Sequence, residues 1–277
     1  MTTWPSNYIE ANGLRLHYTR TGGAKPPLVL AHGVTDDGLC WTPVAEALTP
    51  DYDVIMVDAR GHGRSDAPEQ GYGFAEQADD LAGVIAALKL DQPIVLGHSM
   101  GAVTTLVLAG AYPNVPRAIL LEDPPAKWLD PDEAGLGDPA WRDGMRAWIA
   151  ELQRHTRAEL IAAQRAEAPG WSTAELEPWA EAKLRFSLNV LNNPTPAATI
   201  NWPATLRRIT CPALLLTADR AQGAILTDHE AAALQALVPQ LYHTSIPQAG
   251  HSIHRDQFTR YMEVVHAFLI EVNAADD

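Results

Sequence analysis

Cysteine is nearly missing: the 277-residue chain has two, Cys40 and Cys211, far apart and outside any CxxC or Cys/His cluster. That pattern indicates neither a disulfide framework nor a zinc site, and both thiols are expected as small core residues in a reducing compartment. Long apolar runs are lacking too. No stretch approaches the roughly 18 apolar residues of a membrane span. The start, MTTWPSNYIEANG, has neither the basic nor the apolar region of a secretory signal. A soluble, cytoplasmic protein without a membrane partner is the expectation. Positive charge is also scarce. Asp and Glu outnumber Lys and Arg by 34 to 20, giving a formal net charge of −14 spread along the chain, which speaks against nucleic acid or anionic lipid as partner. Nothing fixes the oligomeric state, so a homo-oligomer stays open.

Apolar residues, in contrast, make up 47% of the chain, enough for a substantial core. They come in short runs. YIEANGLRLHYTRTGG (8–23) is two alternating stretches around Asn12-Gly13, a pair suited to a tight hairpin turn. PLVLAHG (27–33), DVIMVDARG (53–61), PIVLGHS (93–99), RAILLED (117–123), PALLLTAD (212–219) and LYHTSIP (241–247) follow. Most alternate little, as strands covered on both faces do. Helical patterns such as 76–89 and 100–111 lie between them. The fold class is therefore α/β, with a mostly parallel, doubly wound sheet opened by an antiparallel hairpin.

One segment breaks the alternation. From 126 to 203 there is no strand-like run, while PAWRDGMRAWIAELQRH and TAELEPWAEAKLRFSLNVL carry apolar residues at helical spacing. The expected organisation is a core domain from 1–125 and 204–277 with a helical insertion at 126–203. That insertion holds six of the eight tryptophans: Trp128, Trp141, Trp148, Trp171, Trp179 and Trp202. Some are candidates to line an apolar pocket, and most are expected to pack the insertion onto the sheet domain.

The chemistry centres on PIVLGHSMGAVTTLVLAGAYP, where a buried strand runs straight into a helix with Ser99 at the join. A turn that tight leaves no room for side chains two residues to either side, which accounts for Gly97 and Gly101. The serine is forced into strained backbone geometry with its hydroxyl raised above the sheet edge. The helix that begins at Met100 brings unpaired N–H groups and a partial positive charge beside that oxygen.

At this point the sequence resembles the α/β-hydrolase family over nearly its whole length. AHGVTDDGLCW (31–41) resembles the family's HG loop, DARGHGRSD (58–66) its DxRGxGxS segment, GHSMG its nucleophile elbow, and AGHSIHRDQ (249–257) its histidine loop. The resemblance implies that 126–203 is a helical cap over the active site. It implies Ser99 as nucleophile, His251 as base in the Ser, acid, His order of the fold, and backbone N–H groups of Val34 and Met100 as oxyanion hole. His32 and Gly33 would shape that loop, and His98 and His254 would be structural. Asp58, Arg60, Gly61, His62 and Ser65 would be architectural.

The acid stays open between two positions. In many relatives it follows the seventh strand in a GxxD pattern, which here falls on Ala221 and cannot serve. Asp123, at the end of the sixth strand and 24 residues after Ser99, matches the spacing in relatives such as haloalkane dehalogenases. It is preferred over Asp219, in the loop after the seventh strand. Glu122 ranks third, because neighbours on a strand point opposite ways.

A serine nucleophile forms an acyl-enzyme, in contrast to the carboxylate of dehalogenases and epoxide hydrolases. The expected activity is hydrolysis of small or medium uncharged carboxylic esters, with no metal or organic cofactor. Lactones, amides, carbon–carbon bonds of ring-fission products and a peracid-forming side reaction are alternatives on the same triad. A ligand receptor with little turnover is the alternative outside enzymes.

Overall fold

The computed structural model of the protein describes residues 4–130, 138–192 and 197–274. Eight strands form one sheet: β1 (Ser6–Ala11), β2 (Leu14–Arg20), β3 (Pro27–Ala31), β4 (Asp53–Val57), β5 (Ile94–His98), β6 (Ala118–Glu122), β7 (Ala213–Ala218) and β8 (Leu241–Ile246). Their order across the sheet is β1-β2-β4-β3-β5-β6-β7-β8. The first two pairings, β1 with β2 and β2 with β4, are antiparallel. All the others are parallel. The hairpin turn at Asn12-Gly13 has both residues at positive φ, 48° and 75°, the geometry that matches the right-handed twist of the flanking strands.

Helices cover both faces. They are α1 (Thr42–Leu48), α2 (Phe74–Ala87), α3 (Met100–Ala111), α4 (Pro139–Leu152), α5 (Arg157–Glu167), α6 (Thr173–Arg185), α7 (Trp202–Leu206), α8 (Asp228–Leu237), α9 (Ile253–Asp256) and α10 (Phe258–Ala274). Successive strand residues enter opposite cores. Val29, Ile55, Val95 and Ile119 pack with α2, α3 and α8 on one face. Leu28, Leu30, Val54, Met56 and Leu96 pack with α1 and α10 on the other. Because both faces are covered, β4 to β7 are buried at every position, which is why their sequences hardly alternate.

Between β6 and β7 there is no strand among the described residues, only α4 to α7 and short 3₁₀ turns. Residues 131–137 and 193–196 of the segment singled out in the sequence lie outside the described residues. α5 was not singled out in the sequence, since Leu160 is its one buried side chain. A capping box fixes its start: the Thr156 hydroxyl accepts from the Glu159 N–H while the Glu159 carboxylate accepts from the Thr156 N–H. No described helix is long and apolar enough to cross a membrane.

Candidate active site

β5 delivers Ser99 directly to the N-terminus of α3. The serine sits at φ 52°, ψ −114°, left-handed backbone that a side-chain-bearing residue adopts only when its surroundings force it. The force comes from close backbone packing. A Cβ on Gly97 would strike the backbone of Gly101, and one on Gly101 would strike the Ala31 carbonyl. The N–H groups of Ala102 and Val103 turn back to the Ser99 carbonyl. The Met100 N–H, in the first turn, has no intrahelical acceptor.

The loop after β3 closes over this turn. A Cβ on Gly33 would lie 3.4 Å from Ser99 Cβ, so the Gly33-Val34 backbone and the Met100 backbone flank the serine. His32 shapes the loop from inside. Its Nδ1–H donates to the Gly33 carbonyl at 2.8 Å and its Nε2 accepts from the Ala59 N–H at 3.0 Å. Asp58, in turn, accepts from the Gly38 and Arg64 N–H groups and from His17. Arg60 pairs with Asp80. These residues hold loops in place and line no part of the Ser99 cavity.

His251 follows β8, and its Nδ1 lies 2.7 Å from Asp123 Oδ2. Asp123 is fully buried, also at positive φ (40°), and accepts from the Ile225 N–H at 2.8 Å and the Leu226 N–H at 3.0 Å. A carboxylate can accept from all three of these donors at once. It fixes the proton on Nδ1 and leaves Nε2 of His251 as an acceptor. The structure thus brings His251 to Asp123 and not to the other two candidates. Asp219 Oδ2 accepts from the Gln248 N–H at 2.6 Å. Glu122 is taken by His254, through the ring at 2.8 Å and the backbone N–H at 3.0 Å. Burial opposes ionisation of Glu122, but His254 and His98 outweigh it and hold the carboxyl at about 2.

His98 is held by the histidine loop. Its Nε2–H donates to the His251 carbonyl at 2.9 Å, and burial pushes its pKa down to about 3, so the ring is neutral. It clamps the histidine loop to the elbow.

Ser99 and His251 open into one cavity of about 540 Å³, which Gly33, Val34 and Met100 also line. Trp141, Trp148, Trp171 and Trp179 form much of its wall. The expectation that most of the six tryptophans pack onto the sheet domain is therefore corrected. Only Trp128 and Trp202 belong to the sheet core, because the sequence gives helical spacing but not which face of α4 or α6 turns toward Ser99. The pocket is mainly apolar, as expected, but charged side chains interrupt its wall. Lys127, Lys183, Arg220 and Arg255 line the cavity together with Asp36. Lys183 Nζ reaches the Thr35 carbonyl at 2.9 Å and Asp36 Oδ1 at 2.8 Å, and Arg255 Nη2 reaches Asp36 Oδ2 at 2.9 Å. Burial works against the Asp36 charge, but Arg255 and Lys183 together hold its carboxyl well below the usual range.

A family model described as the alpha/beta hydrolase fold matches residues 26–257. The chain belongs to the α/β-hydrolase fold family. N-formylmaleamate deformylase of Pseudomonas putida is 29% identical over 264 residues, which is 94% of this chain and 95% of that protein. The 2-(acetamidomethylene)succinate hydrolase of Mesorhizobium japonicum is 38% identical over 104 residues, 38% of this chain and 37% of that one. The crystal structure of an N-formylmaleamic acid deformylase from Pseudomonas putida S16 superposes with a TM-score of 0.75 at 26% identity, covering 94% of this chain and all of that one. This α/β-hydrolase therefore stands among enzymes that hydrolyse their substrates.

Proposed function

We propose that this α/β-hydrolase is a serine hydrolase cleaving carboxylic esters of small or medium size through an acyl-enzyme. The observation that carries it is the 2.7 Å contact between His251 and Asp123, made at the cavity into which Ser99 opens. Ser99 Oγ forms a bond to the ester carbonyl carbon while His251 Nε2 takes its proton. The oxygen left with negative charge accepts from the Val34 and Met100 N–H groups. Collapse of that adduct breaks the carbon–oxygen bond, and His251 returns the proton to the departing alcohol. Water then repeats the sequence on the acyl-enzyme, releasing the acid and restoring Ser99. Asp123 keeps Nδ1 protonated and offsets the imidazolium charge.

The helices between β6 and β7, within the segment expected as a cap, act in this scheme as one and supply the tryptophan wall. The substrate is a small molecule, no metal or organic cofactor takes part, and the protein works in the cytoplasm. Hydrolysis of a carbon–nitrogen acyl bond is a second reading, favoured by one finding: the relative matched over 94% of the chain is a deformylase. Lactone and carbon–carbon substrates use the same residues.

A fluorophosphonate probe with peptide mapping, followed by turnover on p-nitrophenyl esters, N-acyl amides and lactones, tests the proposal. Labelling confined to Ser99 and catalytic ester turnover are expected. Labelling elsewhere removes the nucleophile assignment. A ligand bound without turnover favours the receptor reading.

A further inference from the structure

The whole chain carries −14, and its far field repels anions. Inside the cavity the sign reverses. Lys127, Lys183, Arg220 and Arg255 line it against a single carboxylate, Asp36. Asp36 is shared: Lys183 Nζ stands at 2.8 Å and Arg255 Nη2 at 2.9 Å, with all three side chains at most 8% exposed. Two cations on one carboxylate leave an excess of one positive charge, and such an excess held away from water is costly unless an anion joins it.

The other nearby acids lie behind the wall and do not enter the lining. Asp123 is engaged by His251, Ile225 and Leu226. Glu122 is hydrogen-bonded by His254 and, although its charge is felt by Arg255, lies outside the lining. Asp37 is pushed up to about 8 by burial and by the charges of Asp58 and Asp36, so it is mostly uncharged at neutral pH. Each cation also stands over an indole that lines the cavity, Lys183 Nζ 5.1 Å from the Trp179 ring centroid and Arg255 Cζ 4.8 Å from that of Trp171. Charge and apolar wall thus meet in one place, which suits a ligand with an apolar body and one anionic end.

We propose that the substrate of Ser99 carries a carboxylate, seated on the Arg255–Lys183 side of the cavity with Arg220 contributing attraction. This rests on the serine-hydrolase reading above and replaces the uncharged ester expected from the sequence with an anionic ester or amide. A monoanionic carboxylate matches the excess of one charge at Asp36, and a guanidinium presents paired donors to it.

The test compares two p-nitrophenyl esters of similar length, the mono-ester of glutaric acid and the ester of valeric acid. The carboxylate-bearing ester is expected to have a kcat/KM roughly tenfold or more above the neutral one, with the gap shrinking as salt is raised. Arg255→Gln is expected to lower that ratio several-fold, mainly through KM. Arg220→Gln, at an exposed position, gives the same comparison should the first variant fail to fold. Calorimetric titration of Ser99→Ala with both esters reads binding without turnover, and tighter binding of the anionic ester is expected. Equal or weaker binding and turnover of the anionic ester overturns the proposal. Ser99 labelling with no anionic preference leaves the hydrolase reading standing alone. Anionic preference in Ser99→Ala without Ser99 labelling removes the hydrolase reading and keeps the anion site.

Discussion

Asp123 and Asp219 close neighbouring strands of the sheet, yet only one of them reaches the imidazole. Asp123→Asn replaces an acceptor-only group with one that places an amide N–H₂ against donors, so His251 loses the anion that fixes its tautomer. Ester turnover is expected to fall by about 10⁴ in kcat with little change in KM, whereas Asp219→Asn should stay within about twofold. Steady-state kinetics on one p-nitrophenyl ester decides this, and the opposite pattern would move the acid to the loop after β7. Ser99 and His251 were legible in the sequence because each sits in a local motif. The acid was not decided there, because the choice depends on how the ends of β6, β7 and β8 lie together in space. The cations were less legible still. Lys183 lies 147 positions from Asp36 and Arg255 lies 219 from it, so nothing local joins them, although Arg255 stands inside the histidine loop.

The strand–turn–helix element is rigid because backbone meets backbone. A methyl group on Gly101 would collide with the Ala31 carbonyl and the His32 backbone, not with a movable side chain. Gly101→Ala is therefore expected to destabilise the protein by about 3 kcal/mol or more, at the upper end for single substitutions. Gly144 is the contrast, inside α4 with open space within 4 Å of where a Cβ would stand and no positive φ. Gly144→Ala should stabilise by up to about 1 kcal/mol through helix propensity. Urea midpoints of the two variants against the parent measure both effects, and equal midpoints would mean the elbow relaxes freely. The same element explains why the sheet was readable. Strands buried on both faces need unbroken apolar runs, and the elbow needs small residues at fixed offsets, so β5 and α3 announce themselves. The tryptophan-bearing helices announce their spacing but not which face turns inward, since α4 buries little beyond Ile149 against the protein and directs Trp141, Met145 and Trp148 to the cavity instead.

For the molecule as a whole, buried titratable groups set how stability varies with pH. Burial lowers His62 and His98 to about 3 from an ordinary 6.5, and His32 shifts the same way. These rings are neutral in the fold but protonate in the unfolded chain, so their contribution is complete above about pH 6.5 and is lost as pH falls toward 3. Glu122, at about 2 against an ordinary 4.5, adds a further loss below pH 4.5. Asp37 has the opposite sign. Burial first, then the Asp58 and Asp36 charges, raise it from 3.8 to about 8, so the fold retains a proton that the unfolded chain has released. Its contribution is complete below 3.8 and is lost as pH rises to 8. Between about pH 4 and 6.5 the unfolded chain gains at least two imidazole protons against the one that Asp37 keeps, and stability rises with pH. Above 6.5 Asp37 acts alone and stability declines. The maximum is expected near pH 6.5, and Asp37→Asn, which cannot ionise, should flatten the alkaline side by up to about 2 kcal/mol between pH 6.5 and 8. Urea unfolding at pH 5, 6.5 and 8 checks this, and an alkaline decline that persists in Asp37→Asn would assign it to another group.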